Sequence, residues 1–270
     1  MAKRKREEPE MQRRGKNQVE GPDYEPYIKV QDIPSLGRST RTTHPKAPWV
    51  GNLLSDIETA YRILLEWSDW VEVPYDQYAL EQEETLKIAN AIGVEHPRHP
   101  KTKEYTVMTS DFVIKTTDGR TVVWSVKAHD KISKRDVEKL EIERIYWTAR
   151  GASWWLVTED NLPDVLVTNL KGIRKTIHIE DYGLSFEQVE RVCRVAERNF
   201  EKGLAMRDLA SLVDELLGYP EGTSLTIFRH LIATKRWVVD MLQPIEPTKP
   251  LHIVKTRHSE SDTRRWAESD

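Results

Sequence analysis

The sequence predicts an α/β domain built on a mixed sheet, followed by a mainly α-helical, winged-helix-like domain. Two strand-like runs between Val107 and Lys127 flank an Asp118-Gly119 turn, and a helical stretch from Ser133 to Arg150 leads into the apolar run Trp154 to Thr158. Beyond about Leu170 the pattern changes to short helices. A strand, helix, strand succession implies a right-handed crossover with parallel pairing, so a hairpin joined to such a unit makes the sheet mixed. At 270 residues the chain exceeds one typical domain without reaching three. The α/β domain is placed at residues 24–168 and the helical domain at 169–255, with tails at 1–23 and 256–270.

Residues 1–23 are rich in Lys, Arg, Glu and Gln and too poor in apolar groups to offset chain entropy, which predicts a disordered tail. From Tyr24 to Trp49 several prolines, with Arg38 and Arg41 among them, predict an extended, irregular lead-in. A helix then starts at Ser55. Ser55-Asp56-Ile57-Glu58 has the form of a capping box, and Ile57, Ala60, Tyr61, Leu64 and Leu65 recur at helical spacing until about Trp67. Val71 to Tyr75 reads as a short strand, with Pro74 assigning it to an edge or an end. A polar helix from Glu81 to Ile92 stops at Gly93, and the segment through His96, His99 and Pro100 reads as loop.

In the hairpin, Val107 to Lys115 and Thr121 to Lys127 are the strands. A three-residue loop, Asp118-Gly119-Arg120, pairs Asp111 with Lys127, Phe112 with Val126 and Ile114 with Trp124. That register leaves one apolar face and one carrying Asp111, Ser125 and Lys127. Ser133 then caps a helix that runs to Arg150 and stops at Gly151. Further on, helices are expected at Phe186 to Phe200, Met206 to Leu217 and Thr223 to Thr234, and strands at Trp237 to Leu242 and Leu251 to Val254. Three helices and a β-ribbon match a winged-helix or helix-turn-helix plan.

Composition narrows the function classes. Forty-four acidic side chains stand against 41 basic ones, a net charge of −3, so DNA contact has to come from local patches rather than a global basic excess. The one cysteine, Cys193, excludes an intrachain disulfide and a cysteine-based zinc cluster. No apolar run approaches membrane-spanning length, and the charged amino terminus is not followed by a hydrophobic segment, which predicts a soluble, intracellular protein.

The candidate chemistry follows from the hairpin. Phosphodiester hydrolysis needs an activated water, a phosphate held in line and compensation for growing negative charge, and hard divalent cations on carboxylate oxygens supply all three. Asp111 in a rigid strand and Glu58 on the first helix are the candidate side-chain ligands, with the carbonyl of Val126 a further one. Lys127 is placed to stabilise negative charge and hold the nucleophile. Glu143 is a supporting residue. Simpler explanations stand beside these: the capping box accounts for Glu58, a salt bridge to Lys127 for Asp111, and a solvated helix face for Glu143. His96, His99 and His129 lack a recognised metal-ligand spacing and read as surface residues. In the second domain Arg229, His230, Lys235 and Arg236 cluster at the end of a helix, either to contact phosphates or as ordinary exposed residues.

At these residues the sequence resembles the TnsA family, the endonuclease subunits of heteromeric cut-and-paste transposons within the PD-(D/E)xK, restriction-endonuclease-like superfamily. The resemblance rests on Val30-Gln31-Asp32-Ile33-Pro34-Ser35 with Gly37-Arg38-Ser39, on Leu53 to Glu58, on Thr109-Ser110-Asp111-Phe112 and on Glu138 to Arg144 with Tyr146-Trp147. It covers residues 24 to 160 well and the helical remainder by layout. It implies a restriction-endonuclease-like fold for the first domain, with catalytic residues at Glu58, Asp111 and Lys127 and the helix glutamate at Glu143. It also implies dependence on Mg2+, with Mn2+ as a substitute, and cleavage of the 5′ strands at the element's ends. The implied partners are double-stranded end DNA, a TnsB-type transposase that cuts the 3′ ends, and a TnsC-type AAA+ ATPase. The implied location is the bacterial cytoplasm, on the nucleoid during transposition. Arg38, Arg41, Arg229, Lys235 and Arg236 are the candidate DNA contacts, and the second domain becomes a DNA- and partner-docking module. One position departs: Ser125 stands where most of the superfamily has an acid and TnsA a glutamine, which predicts weaker metal binding or a larger role for Glu58. Two alternatives stay open, a catalytically silent assembly subunit and a stand-alone restriction or repair nuclease.

Overall fold

The computed structural model describes residues 20–32, 39–44 and 46–257. Most of the tails expected at 1–23 and 256–270, and Arg38, lie outside the described residues. The chain divides after Leu162 into two compact units, ahead of the boundary expected after 168. No helix among the described residues is long and apolar enough to cross a membrane.

The first unit opens with an antiparallel hairpin, β1 (Thr40–His44) and β2 (Ala47–Leu53), inside the segment read as irregular. Its signal is the alternation of buried Ala47, Trp49 and Gly51 with exposed Pro48 and Val50. Proline, having no N–H, is tolerated at such an outward position, and it masks the strand period. Helix α1 (Asp56–Trp67) follows, then β3 (Val71–Ala79), α2 (Gln82–Ala91), β4 (Thr109–Thr116) and β5 (Thr121–Val126). Helix α3 (Lys134–Thr148), capped by Ser133 with a reciprocal bond to Asp136, leads into β6 (Ser153–Val157). The sheet order is β3-β4-β5-β6, antiparallel except for the β5–β6 pair, so the sheet is mixed.

Each sheet face buries its own cluster. Phe112, Ile114 and Val126 pack with Leu53, Tyr61 and Leu65 of the β2–α1 side. Val113, Val123 and Tyr75 pack with Ile142, Tyr146 and Trp147 of α3 and with Ala89 of α2. Phe112, Val113, Ile114 and Val123 have no measurable exposure, which at about 1.5–3 kcal/mol per fully buried side chain makes this hairpin the hub of the unit.

The hairpin register differs from the expected one. Phe112 pairs with Trp124, Val113 with Val123 and Ile114 with Val122. The loop does hold three residues, but they are Thr117, Asp118 and Gly119: Thr116 N–H donates to the Arg120 carbonyl at 3.0 Å, and Gly119 adopts the left-handed φ of +82°. Moving the loop back by one residue moves the register by two, so Asp111 and Lys127 are not directly opposite. The second face is also not polar, since Val113 and Val123 lie in its core.

The second unit contains α4 (Asp164–Ile173), α5 (Phe186–Glu197), α6 (Met206–Leu217), α7 (Thr223–Ala233) and an antiparallel pair, β7 (Trp237–Val239) with β8 (Ile253–Thr256). Helix α4 was absent from the expected elements. It buries Val167, Leu170 and Ile173 and fastens the proline-containing loop after β7, since Asn169 bonds the carbonyls of Met241 and Gln243 and the N–H of Ile245. Trp237 packs between Phe200 and Phe228, with ring centroids 5.1 and 4.9 Å away.

Candidate active site

Glu58 sits in the first turn of α1. Ser55 is the helix cap, accepting the Glu58 N–H at 3.1 Å, and its hydroxyl donates to Glu58 Oε1 at 2.9 Å. Glu58 Oε2 accepts the Leu54 N–H at 2.9 Å, so the capping arrangement reaches one residue further back than a simple box. These bonds fix the carboxylate in a buried position, where desolvation and then the neighbouring Asp111 charge push it up to about 7.

The residue that joins Glu58 to Asp111 is Gln77. Its Nε2 lies 3.3 Å from Glu58 Oε2 and 3.4 Å from Asp111 Oδ1, and its Oε1 accepts from Thr109 Oγ1 at 3.4 Å. Gln77 is 1% exposed and has a φ of +51°. A left-handed backbone at a residue with a long side chain costs about 1–3 kcal/mol and persists only where surroundings hold it.

That backbone turn explains how the site is assembled. Ideal strands alternate faces. On β3, Tyr75 and Tyr78 pack into the α3-side cluster, yet the two residues between them both turn to α1, Asp76 to Arg62 and Gln77 to Glu58. Strand β4 matches this: Ser110 turns to Glu143 on α3, Val113 lies in the α3-side core, and both Asp111 and Phe112 face the α1 side. Because Asp76 pairs with Phe112 and Tyr78 with Ser110, Gln77 and Asp111 slip out of phase side by side.

Asp111 Oδ2 accepts the Val126 N–H at 2.7 Å and lies 3.6 Å from Lys127 Nζ. Lys127 Nζ also donates to the Val126 carbonyl at 2.9 Å, and the Asp111 charge holds its ammonium above its ordinary range. The Lys127 side chain is 37% exposed, so it remains reachable by a ligand from solvent. Glu58, Asp111, Lys127 and the Val126 carbonyl are therefore brought together, although by a different register from the one expected.

Ser125 and Glu143 meet on the α3 side, near enough for the Glu143 charge to act on Lys127. Both Ser125 Oγ and Ser110 Oγ donate to Glu143 Oε1 at 2.6 Å. Each hydroxyl in turn accepts an indole N–H, from Trp154 at 3.1 Å and from Trp147 at 2.8 Å. An indole nitrogen only donates, so the hydroxyl protons are directed at the glutamate. Burial pushes Glu143 up to about 7 against these bonds. The solvated helix face offered as the simpler explanation for Glu143 is thus wrong, and Ser125 does not share a face with Asp111.

The donor set suits a hard divalent cation. Two carboxylate oxygens converge on the amide nitrogen of Gln77, and the Val126 carbonyl shares Lys127 Nζ with the other oxygen of Asp111. Among the described residues no three His, Cys, Asp or Glu side chains come together to hold an ion by themselves. The candidate histidines are apart from the site: His96 is buried, bonding Thr85 Oγ1 at 3.0 Å and the Pro97 carbonyl at 3.1 Å, which corrects its surface assignment, and His129 pairs with Asp160.

Both units match models of one family. Residues 71–159 match the TnsA-like endonuclease N-terminal model, and residues 161–241 match the TnsA endonuclease C-terminal model. The chain belongs to the TnsA family. It is 33% identical over 162 residues to the transposon Tn7 transposition protein TnsA of Escherichia coli, a match that spans 59% of this chain and 59% of that protein.

Of the candidate DNA contacts, Arg41 is exposed and lines a cavity of about 390 Å3 with Lys29 and Trp49, away from the carboxylates. Arg229 is half-buried on α7, and Lys235 follows that helix with a φ of +59°. Arg236 is committed elsewhere: both its terminal nitrogens bond Glu190 on α5, which replaces the phosphate-contact reading with an internal ion pair. His230 likewise bonds the Thr176 carbonyl at 2.7 Å. Sequence reasoning missed Gln77. The signal was available, since Asp76-Gln77 interrupts an apolar run just as Asp111 does.

Proposed function

We propose that this chain is a Mg2+-dependent endonuclease, with Mn2+ as a substitute, that cuts the 5′ strands at the ends of a cut-and-paste transposon. The observation that carries the reading is that Asp111 meets Glu58 across the Gln77 amide with one oxygen and Lys127 with the other, in a chain of the TnsA family. Glu58 Oε2, Asp111 Oδ1 and the Val126 carbonyl would hold the cation. A bound cation would polarise the scissile phosphate and lower the proton affinity of the attacking water.

Residues of the chain do the rest. The Val126 N–H orients Asp111 through its second oxygen, and the Ser55 hydroxyl does the same for Glu58 through Oε1. Lys127, partly exposed and kept protonated by Asp111, meets the phosphate oxygens and offsets charge that grows in the transition state. Glu143 and Ser125 hold α3 against the sheet behind the site.

Double-stranded end DNA, a TnsB-type transposase and a TnsC-type ATPase are the partners in this reading, and the cytoplasm and nucleoid its setting. The helical unit, in which α5, α6 and α7 are followed by a β-ribbon, serves as a winged-helix-like docking module for DNA or the ATPase. One observation favours a catalytically silent subunit instead: Ser125 contributes no ligand because its hydroxyl is bound to Glu143. Incubation with a TnsB-type transposase, end DNA and Mg2+ separates the two. Nicks on the 5′ strand that vanish in folded Asp111→Ala and Lys127→Ala variants support the enzyme; equal behaviour of wild type and variants overturns it.

A further inference from the structure

We propose that Gln77 supplies the side-chain oxygen that Ser125 does not, acting as a ligand-positioning residue for the cation between Glu58 and Asp111. The proposal rests on the nuclease reading of this site.

Four observations converge on it. Ser125 is turned from the carboxylate pair and bonded to Glu143 on the opposite side of the sheet. The carboxamide of Gln77 occupies the point on which Glu58 Oε2 and Asp111 Oδ1 converge, at nearly equal distances of 3.3 and 3.4 Å. The residue is 1% exposed with a φ of +51°, a conformation that glycine or asparagine adopts far more readily. The adjacent Thr109 hydroxyl meets the other end of the amide at 3.4 Å.

An amide has two ends of opposite character. With its NH2 inward, Gln77 donates to two carboxylates that would otherwise repel each other, so it keeps them facing one another in the ion-free protein. With its oxygen inward, it becomes a neutral oxygen donor of the kind divalent cations take from asparagine and glutamine. A half-turn about its last side-chain bond exchanges the two ends. The Thr109 hydroxyl accommodates both states, because it can donate to Oε1 or accept from Nε2.

The test is calorimetric titration of the full chain with Mn2+, without DNA and without any cleavage readout. Gln77→Asn and Gln77→Gly suit a left-handed backbone, so both retain the fold while shortening or removing the amide; a melting curve checks this. The expected result is Mn2+ affinity at least tenfold weaker in both, and tighter than wild type in Gln77→Glu. Affinity in Gln77→Gly equal to or above that of wild type overturns the proposal, because an amide that merely fills space would have been in the ion's way. Asp111→Ala is measured in parallel. Loss of binding there with no effect at Gln77 sinks this proposal alone, whereas wild-type binding in Asp111→Ala, or no binding by the wild type, sinks the site reading as well.

Discussion

Ser125 Oγ donates to Glu143 Oε1 at 2.6 Å while accepting the Trp154 indole N–H, so the hydroxyl that sequence position assigns to the metal is engaged on the other face of the sheet. Ser125→Ala is expected to lower stability by about 1–3 kcal/mol, the cost of leaving a half-buried indole and a buried carboxylate each one partner short. Its Mn2+ affinity should equal that of wild type. Urea unfolding and calorimetry report the two quantities separately, and a weakened affinity would return Ser125 to the cation site.

Glu143 makes stability depend on pH. Its carboxyl is raised from an ordinary 4.5 to about 7, so between these values the folded protein binds more protons than the unfolded chain. Its favourable contribution is complete below pH 4.5 and disappears as pH rises through 7. The ion-free protein should therefore be more stable at pH 5 than at pH 8, with up to about 3 kcal/mol traceable to this residue. Glu58 pulls in the same direction, so Glu143→Gln should flatten the profile without abolishing the slope. Unfolding free energies measured across pH 5 to 8 check this; an unchanged slope in Glu143→Gln contradicts it.

Asp76 is expected to be among the most costly side chains to remove. Its Oδ1 meets Arg62 Nη1 at 3.1 Å and the Trp49 indole N–H at 3.2 Å, and its Oδ2 takes the Asn52 N–H at 2.6 Å. Arg62 is wholly buried and approaches Gly51 so closely that a Cβ there would stand 3.3 Å from Nη2. Asp76→Ala should cost about 3–5 kcal/mol, because it takes the nearer carboxylate from a buried guanidinium and leaves it only Glu66 Oε1, 3.8 Å from Nε. Adding Arg62→Met should recover part of that loss. A double variant no more stable than Asp76→Ala would rule out charge stranding as the cause.

In the helical unit, Arg236→Ala should act on stability rather than on DNA binding. Its guanidinium grips Glu190 across α5, with Nη2 to Oε2 at 3.2 Å. The variant should melt earlier while the dependence of DNA affinity on salt concentration keeps its slope. A slope reduced by about one would mean that Arg236 neutralises a phosphate after all.

Much of this architecture is written in periodicity and caps. Ser55, Ser133 and Gly151 mark helix ends where the structure has them, and the breaks at Gly203 and Gly218 separate α5, α6 and α7 as the pattern suggested. The hairpin shows the limit of that approach. The loop length and the parity of Phe112, Ile114 and Trp124 are legible, but one residue of loop placement moves the register by two and parity cannot detect it. The strand β3 extends past Tyr75 because Asp76 and Gln77 are buried with partners on α1 and β4, contacts far apart in sequence that no local pattern encodes. The phase slip at Gln77 and Asp111 was hidden for the same reason. A solvated face stood beside the supporting role of Glu143 because its helix is highly charged; Ser110, Ser125 and Trp154, which help enclose it, come from other elements.

The matched family segment begins at Val71, beyond both Glu58 and Arg62. A minimal fragment trimmed to that boundary would carry Asp76 without its counter-ion, Gln77 without one of its two carboxylates, and a sheet with the Phe112 side bare. Trimming this scaffold to a compact fragment thus has to begin upstream of Ala47, so that the hairpin and first helix travel with the strands they clasp.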